Sequence, residues 1–538
     1  MPKSKFFLGF VLVFLSACLL TTGYPAGSRP ASEANSADGS PTVSPEGTTV
    51  GCPLNQVRVL FPGAIAGDYE AGGAVFGPVL DETGVTGDVV LADDGTGTAT
   101  DGCEPLINGG AISGNIALID RGDCNFTVKV ENAEAVGATA VIVANNAGDE
   151  LITMGCDPAD CDCCGISSVF IGQTDGQTIR QPPRVIATTF RTFSSSGDPT
   201  LLCSRPSPMG VSTSTTPTAP LLIAGTAGMR VRSLSNPATK FILSNNHVLG
   251  AAAPTLCPDT APPGTRALQP ATGDLGFDPG PDPTYVVGAT VATIPIDFSA
   301  GASNLVDAAI AFTTEQLAST QILGIGDPTP ALLLPSPGAA VTKAGRTTRV
   351  TTGTIASVGG TFNVNYGASC GMARFVNQVS VTPGSFSDSG DSGSTILDAA
   401  TLAPVAHLFA GSASSTIGNP MILVYLLLRV FVDSPAATGM ASEQEIMDQI
   451  QALEYPPEIQ SLMAIQAREE KRIFRNPGVE GMAIGLDNGK GHYAFVIYVE
   501  KLTPALARLL PGHLDGVPVR VEESGKFYAF PGYSPPVG

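Results

Sequence analysis

The sequence contains no tryptophan, four histidines and unusually few charged residues. Charged residues make up 14% and aromatic residues 6% of the 538 positions, and 28 basic side chains face 48 acidic ones, for a formal net charge of -20. A surface short of Lys and Arg displaces few counterions from phosphates, so the composition argues against a nucleic-acid partner. With only four histidines, any site that needs an imidazole base has few candidates. The length predicts two to four domains, and the low charge fits a globular protein outside the cell.

The sequence also lacks a long apolar run. No stretch has the roughly 20 uninterrupted apolar residues that a membrane-spanning helix requires. Lys3 and Lys5 precede an apolar segment at residues 6–15, which predicts an export signal over residues 1–24. The tetrapeptide LSAC, which ends at Cys18, resembles a bacterial lipobox, so Cys18 is a candidate lipidation site. We therefore expect a secreted or cell-envelope protein that contacts a membrane only through such a lipid, with full secretion as the alternative.

Cysteine is not scarce, and its number is informative. Without Cys18 ten of the eleven cysteines remain, and an even number in an exported chain predicts disulfides. The segment CDPADCDCC, residues 156–164, could bind zinc instead, but it has no histidine, so disulfides are favoured. Cys163 and Cys164 are adjacent and are expected to pair with different partners. The ten are Cys52, Cys103, Cys124, Cys156, Cys161, Cys163, Cys164, Cys203, Cys257 and Cys370.

Stretches rich in Pro, Ser and Gly divide the chain. Residues 25–51 have no apolar period and predict a disordered linker. A second such stretch, residues 204–220, predicts a spacer, and a third break falls near residues 433–442. No repeats relate the parts that remain. The expected folded units are residues 52–203, residues 215–435 and residues 442–538.

The first unit contains the segment GNIALIDRGDCNFTVKVENAEAVGATAVIVANN, residues 114–146. Two apolar runs flank a helical stretch, which predicts a strand, a helix and a second strand. Together with ITMG and ISSVFIGQTDGQTI further on, this segment resembles the protease-associated (PA) domain. The resemblance implies a small α/β domain that restricts or recruits the protein substrates of secreted peptidases and has no catalytic residues. Asp120 and Arg121 are interpreted as turn and structural charges.

The second unit alternates short runs rich in Val, Ile and Thr with Gly, Pro and Asn turns, which predicts an all-β barrel or sandwich. Serine hydrolysis needs a histidine base, an orienting carboxylate and N–H groups for the oxyanion. His247 follows the strand in FILSNNHVLG, Asp307 lies within the apolar strand NLVDAAIAF, and Ser392 is the serine of GDSGS. A buried carboxylate such as Asp307 needs a partner. The order His, Asp, Ser is that of the chymotrypsin-like double β-barrel peptidases.

FILSNNHVL, DAAIAF, GDSGS and KAGRTTRVTTGTI resemble motifs of trypsin/chymotrypsin-like serine peptidases of the secreted bacterial type. The resemblance implies an all-β double β-barrel, protein or peptide substrates, and no cofactor or metal. It also assigns roles: His247 as general base, Asp307 as orienting acid, Ser392 as nucleophile, and the backbone N–H groups of Gly390 and Ser392 as the oxyanion hole.

The chain departs from that family at several positions. Arg349 replaces the glycine after two threonines, and Phe386 stands six positions before the serine, where trypsin-like pockets have aspartate. A preference for Lys or Arg is therefore not predicted. His407, in VAHLFAG, either faces the specificity pocket and favours acidic side chains or points into the barrel. A one-residue change of register decides between them, and the barrel interior is favoured.

The third unit reads as a small α+β module. Ser442 and Glu445 form a capping-box pattern ahead of helical stretches, and VEGMAIGLD, YAFVIYVEK and GVPVRVEE read as strands. An inhibitory, a chaperone-like and an adhesive role remain open for this module.

The function predicted for the whole chain is a secreted or surface-anchored serine endopeptidase. The alternative is a catalytically inactive cell-surface binding protein on a peptidase scaffold. An esterase is disfavoured by the residue order and by the lack of a GxSxG motif.

Overall fold

The computed structural model describes residues 53–74, 76–78, 80–149, 151–152, 154–155, 163–193, 205–215, 223–252, 257–275, 279, 282, 284–436, 441–487, 491–529 and 532–533. The predicted export signal, Cys18 and the linker at residues 25–51 lie outside these residues. Within them no helix is long and apolar enough to cross a membrane.

The amino-terminal unit is a seven-stranded mixed sheet with helices. Its strands are β1 (Pro53–Phe61), β2 (Gly67–Ala71), β3 (Val85–Leu91), β4 (Ile116–Asp120), β5 (Ala140–Ala144), β6 (Ser167–Ile171) and β7 (Ile186–Phe193), and its helices are α1 (Gly109–Ile112), α2 (Phe126–Ala135) and α3 (Gln173–Arg180). The strand order is β2-β1-β7-β3-β4-β5-β6. Strands β3 to β6 are parallel, and the fully buried β5 is the continuous apolar run typical of such strands, whereas the equally buried β6 begins with Ser167 and Ser168.

Short strands dominate the rest of the chain, with few helices. The first group is β8 (Ser207–Met209), β9 (Val211–Thr215), β10 (Ile223–Ala227), β11 (Met229–Ser233), β12 (Lys240–Ser244), α4 (Asn246–Leu249), β13 (Arg266–Leu268), α5 (Thr272–Leu275), β14 (Val286–Thr293), β15 (Ala309–Thr313) and β16 (Ala318–Ile322). The second is β17 (Ala340–Gly345), β18 (Arg349–Asn365), β19 (Met372–Thr382), β20 (Thr395–Asp398), β21 (Pro404–Gly411), β22 (Thr416–Pro420), α6 (Met421–Leu428) and β23 (Val430–Val432). The last is α7 (Glu443–Ala452), α8 (Pro457–Ile473), β24 (Val479–Leu486), β25 (Tyr493–Val499), α9 (Pro504–Leu509), β26 (His513–Leu514), β27 (Val517–Glu523), β28 (Phe527–Ala529) and β29 (Gly532–Tyr533).

Two further large sheets follow the amino-terminal unit. One has the order β23-β11-β12-β15-β14-β13-β9-β10-β29. In the other, β17-β20-β21-β22-β19-β18 closes on itself because β17 also pairs with β18, so these six strands form a barrel. The chain is therefore a mostly β multidomain protein.

The predicted spacer at residues 204–220 is wrong for its described part. Strand β9 is fully buried and pairs with β10 and β13, and β8 pairs with β16. Its polar side chains find partners there: the Thr213 hydroxyl donates to the Leu268 carbonyl, and the Thr215 hydroxyl donates to the Ala251 carbonyl, both at 2.7 Å. Composition suggested a spacer, but satisfied hydroxyl groups let a Ser/Thr-rich strand be buried.

The carboxyl-terminal strands continue the sheet of the closed barrel. Strand β24 pairs antiparallel with β18, and β25 and β27 follow it. One hydrophobic core contains Val358 and Val381 of the barrel together with Ile459 of α8 and Phe495 of β25. The predicted capping box is present, since the Ser442 side chain accepts from the Glu445 N–H and the reciprocal bond is also formed. The segment after residue 442 is thus packed onto the barrel through a shared core.

Two disulfides are present among the described residues, Cys103–Cys124 in the amino-terminal unit and Cys257–Cys370, which joins the two later sheets. The Sγ atoms of Cys163 and Cys164 lie 2.6 Å apart, and the expectation that these two cysteines pair with different partners stays a prediction. Cys52, Cys156, Cys161 and Cys203 lie outside the described residues.

Candidate active site

His247 lies in α4, a single helical turn that follows strand β12. Asn245, the residue before this turn, and Asn246, its first residue, both bind other segments through their side chains. The Asn245 side-chain amide donates to the Asp307 carbonyl at 2.7 Å, and that of Asn246 donates to Asp259 Oδ1 at 2.7 Å. His247 is only 2% exposed. Two side-chain amides therefore hold the helix that carries the imidazole.

Asp307 lies two residues before β15, not inside a strand as the sequence predicted. The hydrogen bonds of its backbone N–H and carbonyl are formed with side chains and not with a neighbouring strand. The Asp307 N–H donates to Asn419 Oδ1 at 3.1 Å, and its carbonyl accepts from Asn245 and, at 3.3 Å, from Asn419. Asn419 belongs to β22 of the barrel, so both sheets fix the position of this carboxylate.

The structure brings His247 and Asp307 together in a buried pair. Nδ1 of His247 lies 2.6 Å from Asp307 Oδ2, and both side chains are at most 2% exposed. Burial acts to raise the pKa of Asp307, but the charge of His247 and the hydrogen bonds from His247 and Tyr366 outweigh it and lower the pKa. The carboxylate is ionised at neutral pH. It therefore favours the proton on Nδ1 and leaves Nε2 as the basic nitrogen.

Tyr366 is a residue of this site that sequence reasoning missed. Its hydroxyl donates to Asp307 Oδ2 at 2.7 Å, and its ring meets the His247 ring edge to face with centroids 5.9 Å apart. Burial and the Asp307 charge raise the pKa of Tyr366 well above its usual value, so the phenol stays protonated and remains a donor. Tyr366 follows β18 and lies near Cys370, whose disulfide reaches Cys257. No local motif marks it, since the contact spans 59 positions.

Ser392 lies in the loop before β20 and is fully buried. Its Oγ donates to the Phe409 carbonyl at 3.4 Å, while Nε2 of His247 is buried without a hydrogen-bond partner among the described residues. The hydrogen bond between serine and histidine is thus not formed in this conformation. Such bonds are often long or absent without substrate, so this geometry does not exclude the chemistry.

The loop of Ser392 is bonded to the sheet that carries His247. The Thr226 N–H of β10 donates to the Ser392 carbonyl at 2.7 Å, and the Thr226 hydroxyl donates to the Gly390 carbonyl at 2.9 Å. Gly390 has φ +96°, and a Cβ there would lie 2.5 Å from Thr347 Oγ1, so the turn requires glycine. A Cβ at Gly225 would meet both Val248, next to His247, and the Ser392 carbonyl. The three predicted residues are therefore neighbours.

Asp391, directly before Ser392, is held by a buried lysine that sequence reasoning also missed. Lys343 Nζ lies 3.0 Å from Asp391 Oδ2, and neither side chain is exposed. Asp391 Oδ1 accepts the N–H groups of Thr347 and Thr348, and Oδ2 accepts the Thr348 hydroxyl at 2.6 Å. Burial lowers the pKa of Lys343, and the charge of Asp391 opposes the shift. This network gives the loop one conformation.

His407 is completely buried on β21, but so is every other residue of this strand, so the predicted orientation into the barrel stays a prediction. Burial lowers its pKa to about 4, against the opposing effects of the Ser244 backbone and the Asp307 charge. The side chain is neutral at physiological pH. A charged histidine that attracts acidic substrates is therefore not present at this position in this conformation.

The two charges singled out in the amino-terminal unit have structural partners. Asp120 pairs with Arg180 of α3 and accepts the Thr100 hydroxyl at 2.6 Å, and Arg121 Nη1 donates to Asn145 Oδ1 at 3.3 Å. In the same unit three carboxylates lie within 4.8 Å of one another and could hold a cation. They lie between β3 and α1 of the amino-terminal unit, whereas His247 and Asp307 lie in the later part of the chain. The three are Asp94, Asp101 and Glu104.

We expect Tyr366→Phe to slow the reaction of Ser392 with a fluorophosphonate probe by about tenfold, because a hydrogen bond to a charged group contributes about 1.5 kcal/mol or more. Loss of the hydroxyl raises the pKa of Asp307, so the defect should be larger at pH 5 than at pH 8. Tyr455→Phe, which alters a half-buried tyrosine packed against the core shared by the barrel and the carboxyl-terminal strands, is the matched control. A defect of equal size at both pH values would contradict a role through Asp307.

Residues 85–179 match the family model described as the PA domain. The chain contains a PA domain. The chain is 39% identical to signal peptide peptidase-like 2 of Arabidopsis thaliana over 82 residues, which are 15% of this chain. It is 44% identical to an aminopeptidase of Pseudomonas aeruginosa over 93 residues, which are 17% of this chain. The chain spans only 15% of the length of each of these relatives. A solved glutamic acid-specific serine protease that uses a histidine triad in substrate binding aligns with 42% of this chain and 100% of its own, at 19% identity and a TM-score of 0.29.

Proposed function

We propose that the chain is a secreted or surface-anchored serine endopeptidase whose PA domain restricts or recruits protein substrates. The observation that carries this proposal is the buried contact of 2.6 Å between His247 Nδ1 and Asp307 Oδ2, next to the glycine-flanked loop of Ser392. A buried imidazole–carboxylate pair beside a serine is the arrangement that activates a hydroxyl for acyl transfer.

In the proposed mechanism Ser392 Oγ adds to the carbonyl carbon of the scissile peptide bond, and its proton moves to His247 Nε2. Asp307 stabilises the imidazolium that forms, and the N–H groups of Gly390 and Ser392 bind the oxyanion. The tetrahedral intermediate then expels the amine, which takes the proton from Nε2. Water, deprotonated by His247, hydrolyses the acyl-enzyme and restores the serine. These steps use only side chains, backbone N–H groups and water.

A specific observation favours the alternative of an inactive binding protein: the Ser392 hydroxyl is directed to the Phe409 carbonyl instead of to His247. The two functions differ in whether the serine reacts.

The deciding experiment is labelling of the purified protein with a fluorophosphonate probe. We expect the wild type to be labelled, and Ser392→Ala and His247→Ala to lose labelling completely. Ser385→Ala and His492→Ala change an exposed serine and an exposed histidine, and they serve as matched controls that should keep it. Folded protein that takes up no probe and leaves fluorescein-labelled casein intact, in the wild type and in the variant Tyr533→Pro alike, would contradict the peptidase and support the binding protein.

A further inference from the structure

The carboxyl-terminal segment of the chain pairs with both later sheets. Strand β28 pairs antiparallel with β21, with Ala529 opposite Ala410 and Tyr528 opposite Gly411. Shortly after it in the sequence, β29 pairs antiparallel with β10 of the other sheet, with Gly532 opposite Ala224 and Tyr533 opposite Ile223. One short segment therefore bridges the sheets whose loops form the candidate active site.

Each of the two strands that pair with this segment, β21 and β10, has a residue close to Ser392, and that residue is adjacent in sequence to one of the paired residues. On β21, Phe409 directly precedes Ala410, and its carbonyl accepts the Ser392 hydroxyl at 3.4 Å. On β10, Gly225 directly follows Ala224, and a Cβ at Gly225 would lie 3.2 Å from the Ser392 carbonyl. The bridging segment thus has paired residues on each side of the serine.

Chain length makes the crossing short. Ala529 and Gly532 are three Cα steps apart in the sequence, so they can be separated by at most about 11 Å. The described residues at the two ends of this interval pair with strands that each have a residue next to Ser392. In agreement with this, Ser392 and His247 are 0% and 2% exposed.

The segment is anchored by an aromatic side chain. Phe527 is fully buried, and its ring lies 5.1 Å from that of Phe362 and 5.9 Å from that of Tyr498, measured between centroids. Strand β28 also pairs in parallel with β18 at Val364 and Asn365. The anchor joins the barrel to the carboxyl-terminal strands, so it keeps the segment at a high effective concentration next to the groove.

We propose that the edges of β21 and β10 that β28 and β29 cover form a binding groove for an extended polypeptide, and that these two strands are its occupants within the same chain. Resting on the proposed function, this inference names the regulation of its site: a segment of the same chain takes the place of an extended substrate next to Ser392. Recognition is through backbone pairing, as when a peptide adds a strand to a sheet edge. The carboxyl-terminal segment competes with substrate and holds the enzyme in a covered state.

The first test weakens one end of the bridge in the full chain. Tyr533→Pro removes an N–H from β29 and should raise the rate of fluorescein-casein hydrolysis at least tenfold. Lys526→Ala changes an exposed residue that precedes both pairings and should leave the rate unchanged. Equal rates in wild type and Tyr533→Pro, with hydrolysis in both, would overturn the intramolecular occupant and leave the peptidase standing.

The second test needs no catalysis. The full-length chain carrying Tyr533→Pro and Ser392→Ala is mixed with a fluorescein-labelled peptide of residues 525–538, and binding is followed by anisotropy. Saturable binding to this chain and about tenfold weaker binding to the full-length protein with Ser392→Ala alone are expected. Equal binding to both would overturn the proposal. Peptide binding together with no hydrolysis by any variant would instead refute the peptidase and retain the groove.

Discussion

Asp307→Asn should reduce the rate of fluorophosphonate labelling and of casein hydrolysis by about 10⁴-fold, the loss seen when the triad aspartate of a chymotrypsin-type peptidase is changed to asparagine. The physical reason is the tautomer. Asp307 accepts from Nδ1 of His247 at 2.6 Å, whereas an asparagine amide there would donate to Nδ1 and place the proton on Nε2. The histidine could then no longer take the serine proton.

The fold should survive this change, because asparagine has nearly the shape of aspartate and the backbone of position 307 would keep its bonds to Asn245 and Asn419. Rates are measured alongside the urea midpoint of unfolding. Asp327→Asn alters a half-buried carboxylate that accepts the Thr320 hydroxyl elsewhere, and it should retain wild-type rates. A loss smaller than tenfold in folded Asp307→Asn would contradict the assigned role.

Lys343→Met should lower the free energy of unfolding by about 3–5 kcal/mol, the cost of leaving one charge of a buried ion pair without its partner. Lys343 and Asp391 are both fully buried, and the Asp391 carboxylate would remain inside the protein. Because Asp391 precedes Ser392, we also expect loss of probe labelling. Urea unfolding monitored by circular dichroism gives the stability, and labelling gives the state of the loop.

Lys240→Met is the matched control for this prediction. Lys240 lies 3.0 Å from Asp433, but Arg230 also pairs with that carboxylate at 2.7 Å. Loss of the lysine therefore leaves Asp433 with a cation, and the destabilisation should be well below that of Lys343→Met. Equal losses of stability in both variants would show that the Lys343 pair has no special importance.

The elements that the sequence predicted well are those with a strong local signal. The alternation of apolar strand and helix around residues 114–146 corresponds to β4, α2 and β5, and the family match at residues 85–179 agrees with the resemblance stated for that unit. The capping box at Ser442 is likewise a contact over three positions. Short-range rules are sufficient where the bonds themselves are short-range.

The failures share a different cause. The polar composition of strand β9 predicts a spacer. The strand can be buried only because its hydroxyl groups form hydrogen bonds with the carbonyls of Leu268 and Ala251. Asp307 was placed inside a strand, although its backbone is bound by Asn245 and Asn419. In each case the deciding contact comes from 36 to 112 positions away. Local patterns contain no information about such partners.

For the candidate site, the residue types and their order follow from the sequence: four histidines, a serine between glycines, and the chain order His247, Asp307, Ser392. The fold adds the 2.6 Å contact, the Tyr366 hydroxyl, the Lys343–Asp391 pair and the pairing of β28 and β29 with the two later sheets. Chemistry is encoded residue by residue. The positions of the site residues in space are not encoded in this local way, because strand pairing and burial depend on contacts between distant segments. Those contacts exist only once the sheets have formed.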